Sequence, residues 1–327
     1  GGFPRFGGPP GRREVPAELG PDAVDGLRRG ATCGGRLAGG SVQRASQRVG
    51  SGEVDRVGCC GLQHPLGLPQ PGVNGLLQHG PPPGVRPVTA LLAAHLQAQG
   101  VGKGDRVALA MRNLPEWPVA FFAIAAIGAI CVPLNAWWTG PELSYGLSNS
   151  GAKVLICDPE RLDRAAPHFA ELPALEQVLV ARAGGAVPGA TRLEDIIGSS
   201  AGWSALPDTD LPDVAIAADD PATILYTSGT TGNPKGALGT HRNLTTNILS
   251  SGYAAARSVL RRGEALPAPT SKTMLTVIPL FHATACSATM MGAIAGGHTL
   301  IFMYKWDPVQ AFGIIEREKV NATGGVP

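Results

Sequence analysis

From residue 105 onward, short apolar runs alternate with longer stretches in which apolar positions recur at helical spacing, and this alternation predicts repeated β-α units. Residues 105–111 read as a strand, residues 116–127 after Pro115 as a helix, and residues 129–134 as the next strand. The apolar run at 119–134 is flanked by Pro118 and Pro133 and divided by Gly128, so it is expected inside the fold rather than across a membrane. Thr139-Gly-Pro-Glu142 has the form of a capping box and opens a helix to Leu147. Residues 153–157 and 177–180 are further strands, with a helix over 159–169 between them. Residues 183–212, with their glycines, prolines and serines, are expected to form a surface connection.

The pattern continues with a strand at 222–226, a helix at 244–260, and a strand at 273–278 that Pro279-Leu-Phe-His282 closes. A helix with Met290 and Met291 facing the core follows, then a strand at 298–303, a helix from Asp307-Pro308 to about Glu318, and a strand-like segment at 323–327. Repeated β-α units predict an α/β fold of layered, mostly parallel sheets with helices on both faces.

Residues 1–87 break this pattern. They hold nearly half of the 45 glycines and contain no Ile, Lys, Met, Tyr or Trp, so little apolar surface is available to offset the entropy of ordering. We expect a disordered segment at 1–87 and a folded domain at 88–327. The arginines of the first segment are interspersed with carboxylates and show no repeated Arg-Gly-Gly, which argues against an RNA-binding tail. A net charge of +2 gives no reason to expect nucleic acid as a partner. Among the six cysteines there is no CxxC; Cys131 and Cys157 lie in apolar runs and read as reduced core residues, and adjacent Cys59 and Cys60 with His64 make a poor zinc site. Arg12-Arg13 lacks the apolar segment that a twin-arginine signal requires. A cytoplasmic protein without a transmembrane segment is expected, which leaves peripheral membrane contact open.

The densest chemical signal follows the strand at 222–226. Thr227, Ser228, Thr230 and Thr231 supply hydroxyls, Gly229, Gly232 and Gly236 allow a tight turn and close backbone approach, and Lys235 supplies one compact positive charge. Such a loop suits a polyphosphate. The P-loop pattern fails at two positions, because Pro234 stands where its second glycine belongs and Gly236 where its Ser or Thr belongs.

The stretch Tyr226-Thr-Ser-Gly-Thr-Thr-Gly-Asn-Pro-Lys-Gly236, followed by Thr240-His-Arg-Asn243, resembles the phosphate-binding signature of the adenylate-forming enzymes: acyl-CoA synthetases, aryl-CoA ligases, peptide-synthetase adenylation domains and luciferases. The resemblance covers roughly residues 88–327 and includes Gly128 to Asn135, a core motif to which we assign packing. It implies a two-step ligase reaction, in which a carboxylate attacks the α-phosphate of ATP and the thiol of coenzyme A then displaces AMP. It further implies that Thr227, Ser228, Gly229, Thr230, Thr231, Gly232 and Lys235 hold the phosphates, and that His282 lines the carboxylate and thiol approach, with Ala283-Thr-Ala285 departing from the glycine many relatives place there.

In the family, the groups that hold adenine, ribose and Mg2+, and the lysine that assists adenylation, come from sequence after the matched stretch, so no metal ligand is expected here. The expectation is therefore a fragment of a fatty acyl-CoA ligase, inactive as written. An enzyme for aryl or amino acids and a non-catalytic nucleotide-binding remnant remain the alternatives. The contrast at residue 88 adds the expectation that residues 1–87 are not family sequence and come from an out-of-frame reading.

Overall fold

A turn at Val85 starts the regular structure, and helix α1 (Arg86–Ala98) follows with Val88, Leu92, Ala93 and Leu96 buried along one stripe. The structure, a computed structural model, describes residues 55–57, 85–227, 232–268 and 270–325, all within the unit Ser46–Pro327. The expectation for the segment before α1 falls outside the described residues, apart from a three-residue strand, β1 (Asp55–Val57).

Next come β2 (Arg106–Ala110), α2 (Glu116–Ala126), β3 (Ile130–Pro133), α3 (Gly140–Ser150), β4 (Val154–Cys157) and α4 (Pro159–Ala165). The helix expected over 159–169 passes into a 3-10 turn at Ala166–Glu171, where Pro167 interrupts the helical hydrogen bonding. Then follow β5 (Gln177–Val180), β6 (Thr191–Arg192), α5 (Glu194–Ile197), β7 (Pro221–Thr227) and β8 (Lys235–Thr240). These strands form a seven-stranded sheet in the order β6-β5-β4-β2-β3-β7-β8, parallel throughout except for the β7–β8 hairpin.

Strand alternation sorts side chains onto the two faces. Val107, Leu109, Cys131, Val154, Ile156 and Leu179 join the core beneath α1 and α2. Ala108, Ala110, Val132, Leu155, Cys157, Val178 and Val180 join the core with Leu143, Leu147 and Leu162 of α3 and α4. Helices on both faces are thus a consequence of parallel pairing, since each crossover must run over the sheet. Cys131 and Cys157 are buried free thiols, as expected; burial pushes both well above the ordinary thiol range.

Helix α2 is apolar nearly all round, and Glu116 through Ala125 are buried. It shares one core with α1, the first sheet, and Leu280, Met290, Leu300 and Phe302 of the second half. The run at 119–134 is therefore interior, and no described helix is long and apolar enough to cross a membrane.

The second half contains α6 (His241–Arg261), β9 (Thr273–Thr276), a π-helical turn at Thr284–Met290, α7 (Met291–Ala295), β10 (Thr299–Phe302), α8 (Pro308–Glu318) and β11 (Ala322–Gly324). Its sheet runs β1-β10-β9-β11, with β9 parallel to both β10 and β11 and β1 antiparallel to β10. Met290 and Met291 are buried, in agreement with their core assignment. Leu275, Ile301 and Met303 pack with Ala311 and Ile314 of α8.

One local expectation needs correction, and one strand was not anticipated. Residues 183–212 are more than a surface connection, because they form β6 and α5 and bury Leu193, Ile197 and Trp203. Residues 235–240 form β8, a strand that the sequence reading did not name. Glycines at 236 and 239 hid that strand from a propensity reading. Their role is cross-strand fit: a Cβ on Gly236 would lie 2.7 Å from Ile224 Cγ2, and one on Gly239 would lie 2.8 Å from Thr223 Oγ1.

Candidate functional site

In open parallel sheets, ligands are held beyond the carboxyl ends of the strands, where loops are free to vary. Strand β7 ends there at Thr227, and the chain returns as β8 with Lys235 directly opposite Thr227. Residues 228–234 form the connection. Ser228, Gly229, Thr230 and Thr231 lie outside the described residues. The flanks are well defined. Thr227 and Lys235 are both exposed, and Thr227 Oγ1 lies 3.4 Å from the Lys235 carbonyl oxygen. Gly232 has φ +127°, a conformation that side-chain-bearing residues rarely adopt. Among the described residues, the Lys235 ammonium makes no ion pair.

Helix α3 anchors this hairpin. The Tyr145 hydroxyl donates to the Pro234 carbonyl at 3.1 Å, and the Tyr226 hydroxyl donates to Asn149 Oδ1 at 2.7 Å. Burial pushes the Tyr226 phenol up to about 12, so it remains a neutral donor at physiological pH. Gly146 lets α3 pack on the segment leading into it, since a Cβ there would approach Trp138 to 2.8 Å and Leu134 to 2.9 Å. The helix start is fixed as its sequence predicts: Glu142 Oε2 accepts from the Thr139 amide at 2.8 Å.

The turn between β3 and α3 carries Trp137 and Trp138, which point to different neighbours. Trp138 meets Tyr226 edge-on at 5.5 Å, whereas Trp137 meets Phe281 edge-on at 5.2 Å and lies 6.4 Å from the His282 ring. This one turn therefore links the base of the β7–β8 hairpin to the Phe281-His282 segment. The Asn135 side chain shapes it by accepting from the Trp137 amide at 2.8 Å. Arg161 Nε donates to the Ala136 carbonyl at 2.8 Å and Arg164 Nη1 to the Trp138 carbonyl at 3.0 Å. The Arg112 guanidinium lies 5.7 Å from both the Trp137 and the Tyr304 ring centroids, completing a cationic and aromatic wall.

His282 is exposed beside this wall. Its segment is tied to the first sheet by Asn113, which accepts from the Leu280 amide at 2.8 Å and donates to the Ile278 carbonyl at 3.1 Å. A π-helical turn begins two residues later, and the Cys286 amide donates to the His282 carbonyl at 2.9 Å. The structure thus brings Thr227, Gly232 and Lys235 together at one hairpin. His282 belongs to a neighbouring cluster, with the two tryptophans between. Sequence reasoning named the hairpin residues and His282 but passed over Trp137, Trp138, Tyr145, Asn113 and Arg161. The available signal was a pair of adjacent tryptophans between a strand and a capping box, a place where bulky apolar side chains have no reason to be unless something covers or uses them.

Known proteins share the family profile and the fold. The profile of the family described as "AMP-binding enzyme" matches residues 89–327. A feruloyl-CoA synthase of Amycolatopsis sp is 35% identical over 238 residues, which are 73% of this chain and 42% of that protein. A long-chain-fatty-acid–CoA ligase of Mycobacterium tuberculosis is also 35% identical, over 71% of this chain and 41% of its own length. The inhibitor-bound crystal structure of the N-terminal domain of FACL13 from Mycobacterium tuberculosis superposes with a TM-score of 0.59 at 30% identity, covering 74% of this chain and 55% of that one. The chain spans about two fifths of the length of the curated relatives it matches.

Proposed function

The chain belongs to the AMP-binding enzyme family, and from that membership we propose that it serves an AMP-forming ligase that joins an apolar carboxylic acid to the thiol of coenzyme A. The observation that carries this reading is the β7–β8 hairpin, which sets Thr227 opposite Lys235 at the carboxyl edge of the parallel sheet, beside an aromatic wall that includes His282. In this reading the hydroxyls and amides of residues 227–232 and the Lys235 ammonium hold the phosphates of ATP. His282 and Trp137 flank the route by which the acid reaches the α-phosphorus of ATP and the thiol then reaches the acyl carbon from which AMP is displaced. Magnesium, when bound, would offset phosphate charge. Among the described residues no three His, Cys, Asp or Glu side chains are grouped to hold a metal ion, and the described side chains assigned to the phosphates are Thr227 and Lys235.

A fatty acid is the preferred substrate in this proposal. An aryl acid is the second reading, favoured by a feruloyl-CoA synthase matching at the same 35% as the fatty-acid ligase. We place the enzyme in the cytoplasm, with at most peripheral membrane contact.

The 327-residue chain is expected to bind ATP and to release no pyrophosphate with a panel of fatty and aryl acids, because the resemblance assigns the adenine, magnesium and lysine groups to sequence that follows the matched stretch. Losing several such charge-stabilising groups lowers rates by many orders of magnitude. Pyrophosphate release by this chain would overturn the expected inactivity, and failure to bind ATP would overturn the phosphate assignment. A gene product extended past residue 327 separates the substrate readings by which acid it turns over, and an extended product that binds ATP without turnover favours a non-catalytic remnant.

Residues 1–87 are proposed to lie outside the family domain, whose profile match begins at residue 89. Translation of the neighbouring frames of the coding sequence is expected to yield a family-like amino terminus. If neither frame does, the frame-shift origin is wrong.

A further inference from the structure

Helix α6 is held by its first two turns. His241, Leu244 and Thr245 are buried, and Ile248 packs on the main core. Beyond them little of the protein covers the helix: from Leu249 to Arg261 every residue is exposed except Ala256 and Val259, which are partly covered. A helix of that length is marginal in water without packing, so its last turns call for a partner.

The exposed residues are not those of a solvated helix. Leu249, Tyr253, Ala256 and Leu260 recur at intervals of four, three and four, and so form one stripe. Leu249 is 46%, Tyr253 69% and Leu260 57% exposed. Arg257 and Arg261 stand one and two turns after Tyr253 and border this stripe. Neither makes an ion pair among the described residues, whereas Arg242 pairs with Asp219 at 2.6 Å and Arg262 with Glu264 at 2.7 Å. Like charges four residues apart on a helix repel. Between Asp220 and Glu264 the chain has no carboxylate side chain to offset them. An apolar stripe bordered by unpaired arginines fits a surface that is apolar below and anionic on top.

We propose that α6, from Leu249 to Arg261, lies on the surface of an anionic lipid bilayer. Its leucines and Tyr253 enter the boundary between headgroups and acyl chains, and Arg257 and Arg261 meet the headgroup anions. A second copy of this chain fits less well. The stripe is about 16 Å long at the rise of an α-helix, and one side chain wide, far short of the roughly 800 Å2 per partner that stable interfaces bury. A bilayer needs no such area, because headgroup attraction adds to a shallow insertion. The role of this contact rests on the ligase reading: it would keep the site at the surface into which long-chain acids partition.

The test is co-sedimentation of the full chain with phosphatidylcholine vesicles that contain about one third phosphatidylserine, and with phosphatidylcholine alone. Binding is expected to the mixed vesicles only, and is expected to be lost at high salt. Arg257→Gln with Arg261→Gln is expected to weaken it about 25-fold, roughly fivefold for each arginine. Tyr253→Ser with Leu260→Ser is expected to weaken it about tenfold. All four side chains are exposed, so both variants should keep the wild-type thermal midpoint. Hydrogen exchange of the bound chain should show new protection over residues 249–261. Neither ATP nor acid is present, so failure here and failure of the ligase reading, which ATP titration reads, are separate results. No binding to mixed vesicles, unchanged binding in either double variant, new protection confined to other residues, or an α6-dependent dimer that stays off the vesicles would each overturn the proposal.

Discussion

Replacing Arg161 by alanine is expected to destabilise the chain by about 3–5 kcal/mol, the range for removing one partner of a buried ion pair. The Arg161 side chain is fully buried and Asp158 is 3% exposed, with Nη1 at 2.9 and 3.0 Å from the two carboxylate oxygens. Burial works against the guanidinium charge, yet Asp158, Tyr304 and Glu160 outweigh it and hold the pKa above the ordinary value. Without the Arg161 side chain, the Asp158 carboxylate keeps, among the described residues, only its backbone donors, the amides of residues 161 and 112 at 3.1 and 3.2 Å. The Ala136 carbonyl also loses its 2.8 Å donor, so the turn bearing Trp137 and Trp138 loosens. Urea unfolding monitored by tryptophan fluorescence measures the loss. Arg161→Lys should recover only part of it, because an ammonium cannot serve Asp158 and Ala136 with the same fixed fork. The double variant Arg161→Met with Asp158→Leu should recover part of it, because no uncompensated charge stays buried, while the residue-161 and Arg112 amides and the Ala136 carbonyl still lose their side-chain partners. A single-variant loss below about 1 kcal/mol would mean that the pair contributes no more than a surface bridge.

Comparing the sequence with the structure shows which physics a single chain displays locally. Strands buried on both faces announce themselves as short apolar runs, so β2 through β5 were legible to within a residue or two. Helix starts were legible wherever a side chain caps them. Thr139 with Glu142 behaved as read, and Asp307 Oδ1 accepts from the Gln310 amide at 2.8 Å. Helix α6 begins three residues before its expected start, since Thr240 and Asn243 cap each other. Strand β8 was hidden because its fit to Ile224 and Tyr226 demands glycines, residues that local preference assigns to loops. Leu193, Ile197 and Trp203 were hidden for a different reason. Three apolar side chains spread through a polar, glycine-rich stretch leave no period, although each finds a place in the main core. The site divides in the same way. The residues proposed to hold phosphate are contiguous in sequence and could be named from it. The contacts from α3, Asn113 and the two tryptophans join segments up to 167 residues apart and exist only once the chain has folded.

Lys235→Ala is expected to weaken ATP binding by about 10–100-fold, as for the loss of a charge-assisted hydrogen bond worth about 1.5–3 kcal/mol. The same change should leave thermal stability within the small range typical of surface substitutions. Lys235 is exposed, makes no ion pair among the described residues, and sits opposite Thr227 at the open end of the hairpin, where its side chain contributes nothing to the core. Its backbone keeps the β7–β8 register whatever the side chain. The effect should therefore fall on the ligand alone, and should scale with phosphate charge: large for ATP, smaller for AMP and absent for adenosine. Raising salt should narrow the gap between the wild type and the variant, because screening acts on the interaction that the variant lacks. Lys235→Arg keeps the charge and should retain most of the affinity, though a planar guanidinium fork does not place its charge as a compact ammonium does. Calorimetric titration of both variants reads these differences directly. If Lys235→Ala binds ATP within twofold of the wild type at unchanged stability, the hairpin does not hold phosphate, and the ligase reading loses the contact on which it depends.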